Sequence, residues 1–186
     1  INRINEILTK KFPFETINYS KELSSEYIVD AHWALYCENY LEGLHVPFVH
    51  KGLSKEIDNN TYNTIISNNG VLQYAKSADH KESVYGYYYW IFPNLMLNFY
   101  SWGLSVNIIE PISKDKTRVR FLSYPIKTDK ATKNAIKELN TVELEDQEVV
   151  KSVQKGIKSR YYKSGRYSII HEKGVHYFHI LLSRYL

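Results

Sequence analysis

SVYGYYYWIFPNLMLNFY, residues 83–100, carries large rings at a density that suits a β-rich core or an aromatic-lined pocket. Reading outward, NTIISNNGVLQYAKS (63–77), SWGLSVNIIEPI (101–112) and TRVRFLSYPI (117–126) are β-like as well. Asn-Asn-Gly and Ser-Lys-Asp-Lys turns divide them. The region from Thr61 to Ile126 therefore predicts a meander of antiparallel strands. Upstream, SKELSSEYIVDAHWALY (20–36) partly alternates polar and apolar residues and predicts one or two strands. CENYLEGLHVPFVHKGLSKEI (37–57) predicts a helix from Glu38 to about His45, interrupted by Pro47 and briefly resumed. From Lys130 to about Lys158 the pattern is helical, a loop with Ser164-Gly165-Arg166 follows, and VHYFHILLSRYL (175–186) closes as a helix. Residues 1–12 read as a short helix or connecting segment. Helices flanking a central sheet make the class α+β rather than alternating βαβ.

The length of 186 residues and mass of 21.9 kDa suit a single domain over 1–186 with a substantial core. A net charge of +4 on interspersed residues gives no basic stripe, so no nucleic-acid partner is expected. Cys37 is the lone cysteine and cannot form an internal disulfide, which fits a cytoplasmic location. No apolar run approaches the roughly 20 residues of a membrane span, so no membrane partner is expected.

The sharpest chemical signal is ENYLEGLHVPFVH (38–50), with His45 and His50 five positions apart around Pro47. On an unbroken helix that step would turn the two rings about 140° away from each other. A break at Pro47 lets them converge. With Glu38 and Glu42 close by, the pair is a candidate transition-metal site. Taken alone, this spacing is common, and the ordinary reading is two hydrogen-bonded histidines. A second signal lies in VELEDQEVVKSVQKGI (142–157), where Val142, Val149, Val150, Val153 and Ile157 share an arc of about 100° on a helical wheel. Asp146 falls inside that arc, while Glu143 and Glu145 fall outside it or at its edge. A carboxylate on a core-facing stripe needs a cation, a strong hydrogen-bond set or a metal, and an ion pair with Arg or Lys is the alternative. Together with the histidines it completes a two-His, one-carboxylate set of the kind that leaves positions open on non-haem Fe(II).

ALYCENYLEGLHVPFVHKGL (34–53), IFPNLMLNFYSWGLSVNIIEPISKDKTRVRF (91–121) and EDQEVVKSVQKGIKSRYYKSGRYSIIHEKGVHYFH (145–179) together resemble the catalytic domain of Rieske-type non-haem iron oxygenases. The similarity is to the branch holding aromatic-ring-hydroxylating dioxygenase α-subunits and the choline, betaine and carnitine oxygenases. It implies a helix-grip, START-like fold, an antiparallel sheet wrapped on a long C-terminal helix. It also implies mononuclear Fe(II) on His45, His50 and Asp146, with Glu42 passing an electron from a neighbouring subunit's cluster and Asn39 near the iron. Many members carry Asp where this chain has Glu42. The implied partners are an organic substrate, aromatic or quaternary ammonium, dioxygen, a reductase or ferredoxin, and further copies in a homotrimer. The CxH and CxxH pairs that hold a [2Fe–2S] Rieske cluster are missing, and Cys37 alone cannot replace them, so that cluster is expected in an upstream domain outside this chain. The chain is then not expected to turn over unaided. A non-catalytic START-like binding domain, with the three residues merely filling a polar pocket, is the alternative.

Other residues carry simpler expectations. His179 shares a face with Val175, Phe178 and Leu182 and reads as a satisfied core histidine. Ser164-Gly165-Arg166 reads as a turn. The Tyr85–Trp90 run reads as strand surface and core, with an aromatic cage for a quaternary ammonium as a second reading. The pocket is expected between the helix of the histidines and the concave face of the Thr61 to Ile126 sheet, covered by the Asp146 helix, apolar and with few charged groups. Glu42 is expected behind the ligands, facing a subunit interface rather than the substrate pocket.

Overall fold

The computed structural model describes residues 12–79 and 83–186. The expectation for the first dozen residues falls outside this range except for Phe12, whose ring packs edge-on against Phe99 at 5.0 Å. After a short 3-10 turn (Phe14–Thr16) come β1 (Ser20–Val29), α1 (Trp33–Tyr40), α2 (Val46–Val49) and α3 (Leu53–Glu56). Six strands follow: β2 (Ile57–Ser67), β3 (Gly70–Ser77), β4 (Val84–Ile91), β5 (Leu95–Tyr100), β6 (Gly103–Ser113) and β7 (Lys116–Pro125). The chain ends with α4 (Lys130–Ile157) and α5 (Lys173–Leu182).

The strands form one antiparallel sheet in the order β1-β7-β6-β5-β4-β3-β2. This is the expected meander, with β1 added beside β7. Its hairpins use the two turns legible in the sequence. Asn68 and Asn69 link Ser67 to its partner Gly70, with Asn69 at φ 57°, and Lys114 and Asp115 link Ser113 to Lys116. The α+β class and the long helix thus match expectation.

Register assigns the sheet's two faces different jobs. Val71 pairs with Trp90, Trp90 with Met96, and Met96 with Asn107, so these residues share one face, and Ile109 and Val119 continue it. At that end the face is a dry core against α1, α4 and α5, with Leu41, Val150, Val175, Phe178 and Leu181. The Phe178 ring sits edge-on to Trp90 at 5.3 Å and to Trp33 at 5.8 Å. Further along the same face, Tyr88, Asn98, Tyr100, Ser105, Asn107 and Phe121 border a cavity. The opposite face packs a smaller cluster around Leu72, Phe99 and Leu104.

Three expectations are corrected. The 20–36 segment is one strand followed by a helix, because His32 caps α1 by accepting the Ala34 N–H on Nδ1 (3.3 Å) and the chain turns inward. The next helix ends at Tyr40 rather than near His45. Glu42 accepts the N–H groups of Leu44 and His45, stabilising a turn, and Gly43 lets that turn lie on the Tyr62 ring, where a Cβ would come within 2.6 Å. Pro47 therefore does not interrupt a helix. It opens the four-residue α2, where its missing N–H costs nothing. Finally, the buried face of α4 carries Thr132, Ile136, Glu143, Gln147, Val150 and Gln154, while Val153 is exposed. At 100° per residue this face lies roughly 75° round the helix from the apolar arc. Four of these six residues are polar, and such groups find partners: Gln154 Oε1 accepts the His32 N–H at 2.7 Å.

No helix among the described residues is long and apolar enough to cross a membrane. At the junction of α5 with the α1 end, a Cβ on Gly174 would lie 2.5 Å from the Leu41 carbonyl oxygen. Gly174→Ala should therefore lower the urea midpoint of unfolding. Helix propensity alone would favour alanine by about 1 kcal/mol and raise it, so the sign of the change separates the two effects.

Candidate functional site

His45 and His50 bracket α2 as its N-cap and C-cap residues, so a single tight turn brings the two rings together. Their Nε2 atoms lie 3.1 Å apart. From across the cavity α4 delivers Asp146, whose Oδ1 is 3.0 Å from His50 Nε2 and 3.4 Å from His45 Nε2. These three side chains could hold a metal ion. Three N and O donors bound at right angles to one ion at about 2.1 Å would stand about 3.0 Å apart, close to the triangle found here. Two imidazoles and a carboxylate suit a first-row transition metal.

The far side of each ring supports the same orientation. His45 Nδ1 meets Glu42 Oε1, and His50 Nδ1 meets Glu145 Oε2 at 2.8 Å. A carboxylate there accepts the Nδ1 proton and leaves the Nε2 lone pair facing the centre. Asn39, on α1, donates from Nδ2 to Asp146 Oδ1 at 2.6 Å and fixes that carboxylate. Burial pushes the His45 imidazole down, but Asp146 and Glu42 more than offset this and raise it to about 9. His50 is likewise raised by its carboxylates against the effect of burial. Burial pushes Asp146 up, and the two imidazoles outweigh it and hold the carboxylate low. Cation binding here therefore competes with protons on the rings.

The triad and Asn39 border a cavity of about 120 Å³ between the sheet, α1 and α4. Its position matches expectation, but its character does not. Glu42, Glu143 and Asp146 line it beside the two histidines, so it is not simply apolar, and Glu42, expected to face away from the pocket, borders it because the turn after α1 brings its carboxylate back onto His45. Among the described residues no Lys or Arg lines it. One wall is tyrosine: Tyr40, Tyr62, Tyr88 and Tyr100, with the Tyr88 and Tyr100 rings 6.0 Å apart. Only Tyr88 comes from both the Tyr85–Trp90 run and this wall. Asn98, Ser105 and Asn107 form a polar floor, and Asn98 Oδ1 accepts from the Tyr40 hydroxyl at 2.7 Å. A wider groove of about 780 Å³ adjoins it, sharing Leu53, Tyr100, Leu139 and Val142 and lined by Glu56, Glu138, Glu145 and Lys55.

Glu38, read as a carboxylate near the histidines, turns elsewhere. Its Oε1 lies 2.9 Å from His179 Nε2, tying α1 to α5. Because α1 ends before Glu42, the two glutamates do not share a helical face. His179 is satisfied, as expected, but it is half-exposed rather than core, with Tyr167 on Nδ1. Ser164, Gly165 and Arg166 are exposed, with no helix or strand assigned there. Apolar periodicity points to neither Glu143, a carboxylate on the buried side of α4, nor Glu145, which reaches His50 from a partly exposed position.

Residues 14–186 match the model of the ring hydroxylating alpha subunit, catalytic domain. The chain is 35% identical over 172 residues to the chloroplastic choline monooxygenase of Arabidopsis thaliana, covering 84% of this chain and 40% of that protein. The Beta vulgaris counterpart is 31% identical over 169 residues, covering 85% and 38%. The chain thus spans about two fifths of the length of the curated relatives it matches. Among solved structures, a quaternary ammonium Rieske monooxygenase described for carnitine oxidation and inter-subunit electron transfer superposes with a TM-score of 0.85 at 24% identity, over 99% of this chain and 54% of that one. A family match across this much of the chain, over a fold whose one cavity end gathers two histidines and an aspartate, shows that the chain belongs to the ring-hydroxylating α-subunit catalytic domains of the Rieske non-haem iron oxygenases.

Proposed function

We propose that this chain is the iron-binding catalytic part of a Rieske-type oxygenase that hydroxylates or oxidatively demethylates a small quaternary ammonium compound. The observation that carries the metal assignment is the triangle of His45 Nε2, His50 Nε2 and Asp146 Oδ1, with a carboxylate behind each ring. Iron(II), when bound, supplies dioxygen activation, with electrons from a [2Fe–2S] Rieske cluster outside these residues, itself fed by a reductase or ferredoxin.

The chain's own residues orient and select. Asn39 steadies the Asp146 carboxylate. Glu42 touches His45 Nδ1 from a turn rather than a helix, so a charge or electron arriving at that carboxylate is one hydrogen bond from a ligand ring. The inter-subunit electron transfer described for the carnitine-oxidising relative supports giving Glu42 that role, with a homotrimer bringing the cluster to it. The tyrosine wall supports the substrate class. A cation over aromatic faces gains about 0.5–2 kcal/mol per favourable contact, and five tyrosines border one small space. The relatives named for choline and carnitine point the same way.

Four outcomes test this reading in the full-length protein. Asp146→Ala and His50→Ala should lower bound iron, measured by metal analysis, to near zero. Glu145→Gln should keep the ligands but weaken iron binding by about ten- to a hundredfold. Retention of one iron per chain in Asp146→Ala sinks the triad and leaves the binding-domain alternative. Glu42→Gln should hold iron and substrate as before while oxygen-coupled product formation falls by orders of magnitude. Iron lost from that variant with electron delivery intact would make Glu42 a support for His45 alone. In calorimetry, a trimethylammonium compound should bind and benzoate should not, and Tyr88→Leu should weaken the cation by about tenfold.

A further inference from the structure

Glu143 is the one carboxylate of the cavity that neither belongs to the triad nor contacts a triad imidazole. It sits on α4 one turn before Asp146 and is 5% exposed. Two donors reach it, the Tyr36 hydroxyl and Gln147 Nε2 (3.4 Å), and both go to Oε1. Oε2 takes no hydrogen bond from the protein, although the residue borders the cavity. Oε2 is therefore the carboxylate oxygen left available to a group in the cavity. Burial, reinforced by the charge on Asp146, pushes this carboxyl well up. A positive group entering the cavity favours its ionised form, whereas a second anion would face it with no Lys or Arg among the described lining residues to compensate.

We propose that Glu143 determines substrate specificity, with Oε2 facing the positive end of the substrate, so that the cavity takes quaternary ammonium alcohols and discriminates against ammonium compounds that also carry a carboxylate. The inference rests on the quaternary ammonium reading above and narrows it. The tyrosine wall encloses a cation from its faces, and a trimethylammonium group offers no N–H, so Glu143 acts through charge and through the substrate's polarised methyl groups or hydroxyl. The protein's own donors hold Glu143 through Oε1 alone, which leaves Oε2 to meet a group in the cavity.

The test uses the full-length, iron-loaded protein and three probes in calorimetric titration: choline, its uncharged carbon isostere 3,3-dimethylbutan-1-ol, and glycine betaine. The wild type should bind choline at least about tenfold more tightly than either of the others. Glu143→Gln should lose about ten- to a hundredfold of its choline affinity and leave the isostere within about twofold, so that the preference for charge collapses. Glu143→Asp, which keeps the charge but withdraws it by one methylene, should lie between the two and guards against a failure of the Gln variant to fold. A Gln or Asp variant that keeps the full wild-type ratio of choline to isostere overturns the role of Glu143 and leaves the quaternary ammonium reading standing. Betaine binding as tightly as choline overturns the exclusion of carboxylates. A wild type that binds no cation removes the substrate reading and this inference with it.

Discussion

Two imidazole Nε2 atoms 3.1 Å apart, with a carboxylate oxygen at 3.0 and 3.4 Å from them, form an arrangement that only a shared positive charge stabilises, whether proton or metal ion. Much of the surrounding structure serves to hold that triangle. Glu42 and Glu145 fix the outward nitrogens, Asn39 fixes the aspartate, and the turn that leads into His45 lies at Gly43 on the Tyr62 ring. The groups come from three places in the chain, so the centre also ties α1, α2 and α4 together at the cavity end.

That convergence explains why α4 buries polar residues along most of its inner face. A helix placing Asp146 at the centre turns Glu143, Gln147 and Gln154 toward the sheet. They would be destabilising if unpartnered, and Tyr36, the Glu143–Gln147 pair and the His32 backbone meet them. The dry work of packing falls to the other end of the same sheet face, where Trp90, Phe178 and Trp33 interlock. One face therefore serves both as core and as cavity, and its register decides where one gives way to the other. Asn98, Ser105 and Asn107 share the alternation of Met96 and Ile109 but lie beyond the aromatic core.

The strands and the α+β class were legible because ring density, alternation and the Asn-Asn-Gly and Lys-Asp turns are local properties, set by neighbours along the chain. Asp146 stood out for a similar reason, as a charge among apolar positions of one helix. The arc that drew notice to it was displaced from the most buried face, and Asp146 lies within the arc, on the side of the helix that borders the cavity. Apolar periodicity cannot report a buried face that is half Glu and Gln, which is why Glu143 escaped, and it cannot report a partly exposed Glu145 that acts only by reaching His50. The early end of α1 escaped too, since the Glu42 carboxylate and the Tyr62 ring that stabilise the turn act through side-chain contacts, one of them from a strand.

The amino-acid sequence by itself determined the sheet and its turns, the long helix, the family, and a short set of residues able to bind a metal, because each depends on pattern within a segment. Only the tertiary structure decided which carboxylate stands behind each imidazole, that Glu38 leaves the centre for His179, and that the cavity pairs a tyrosine wall with an unshared oxygen on Glu143. Those outcomes depend on the direction in which side chains from distant segments meet, and that direction is set by helix rotation, strand register and the place where a helix stops.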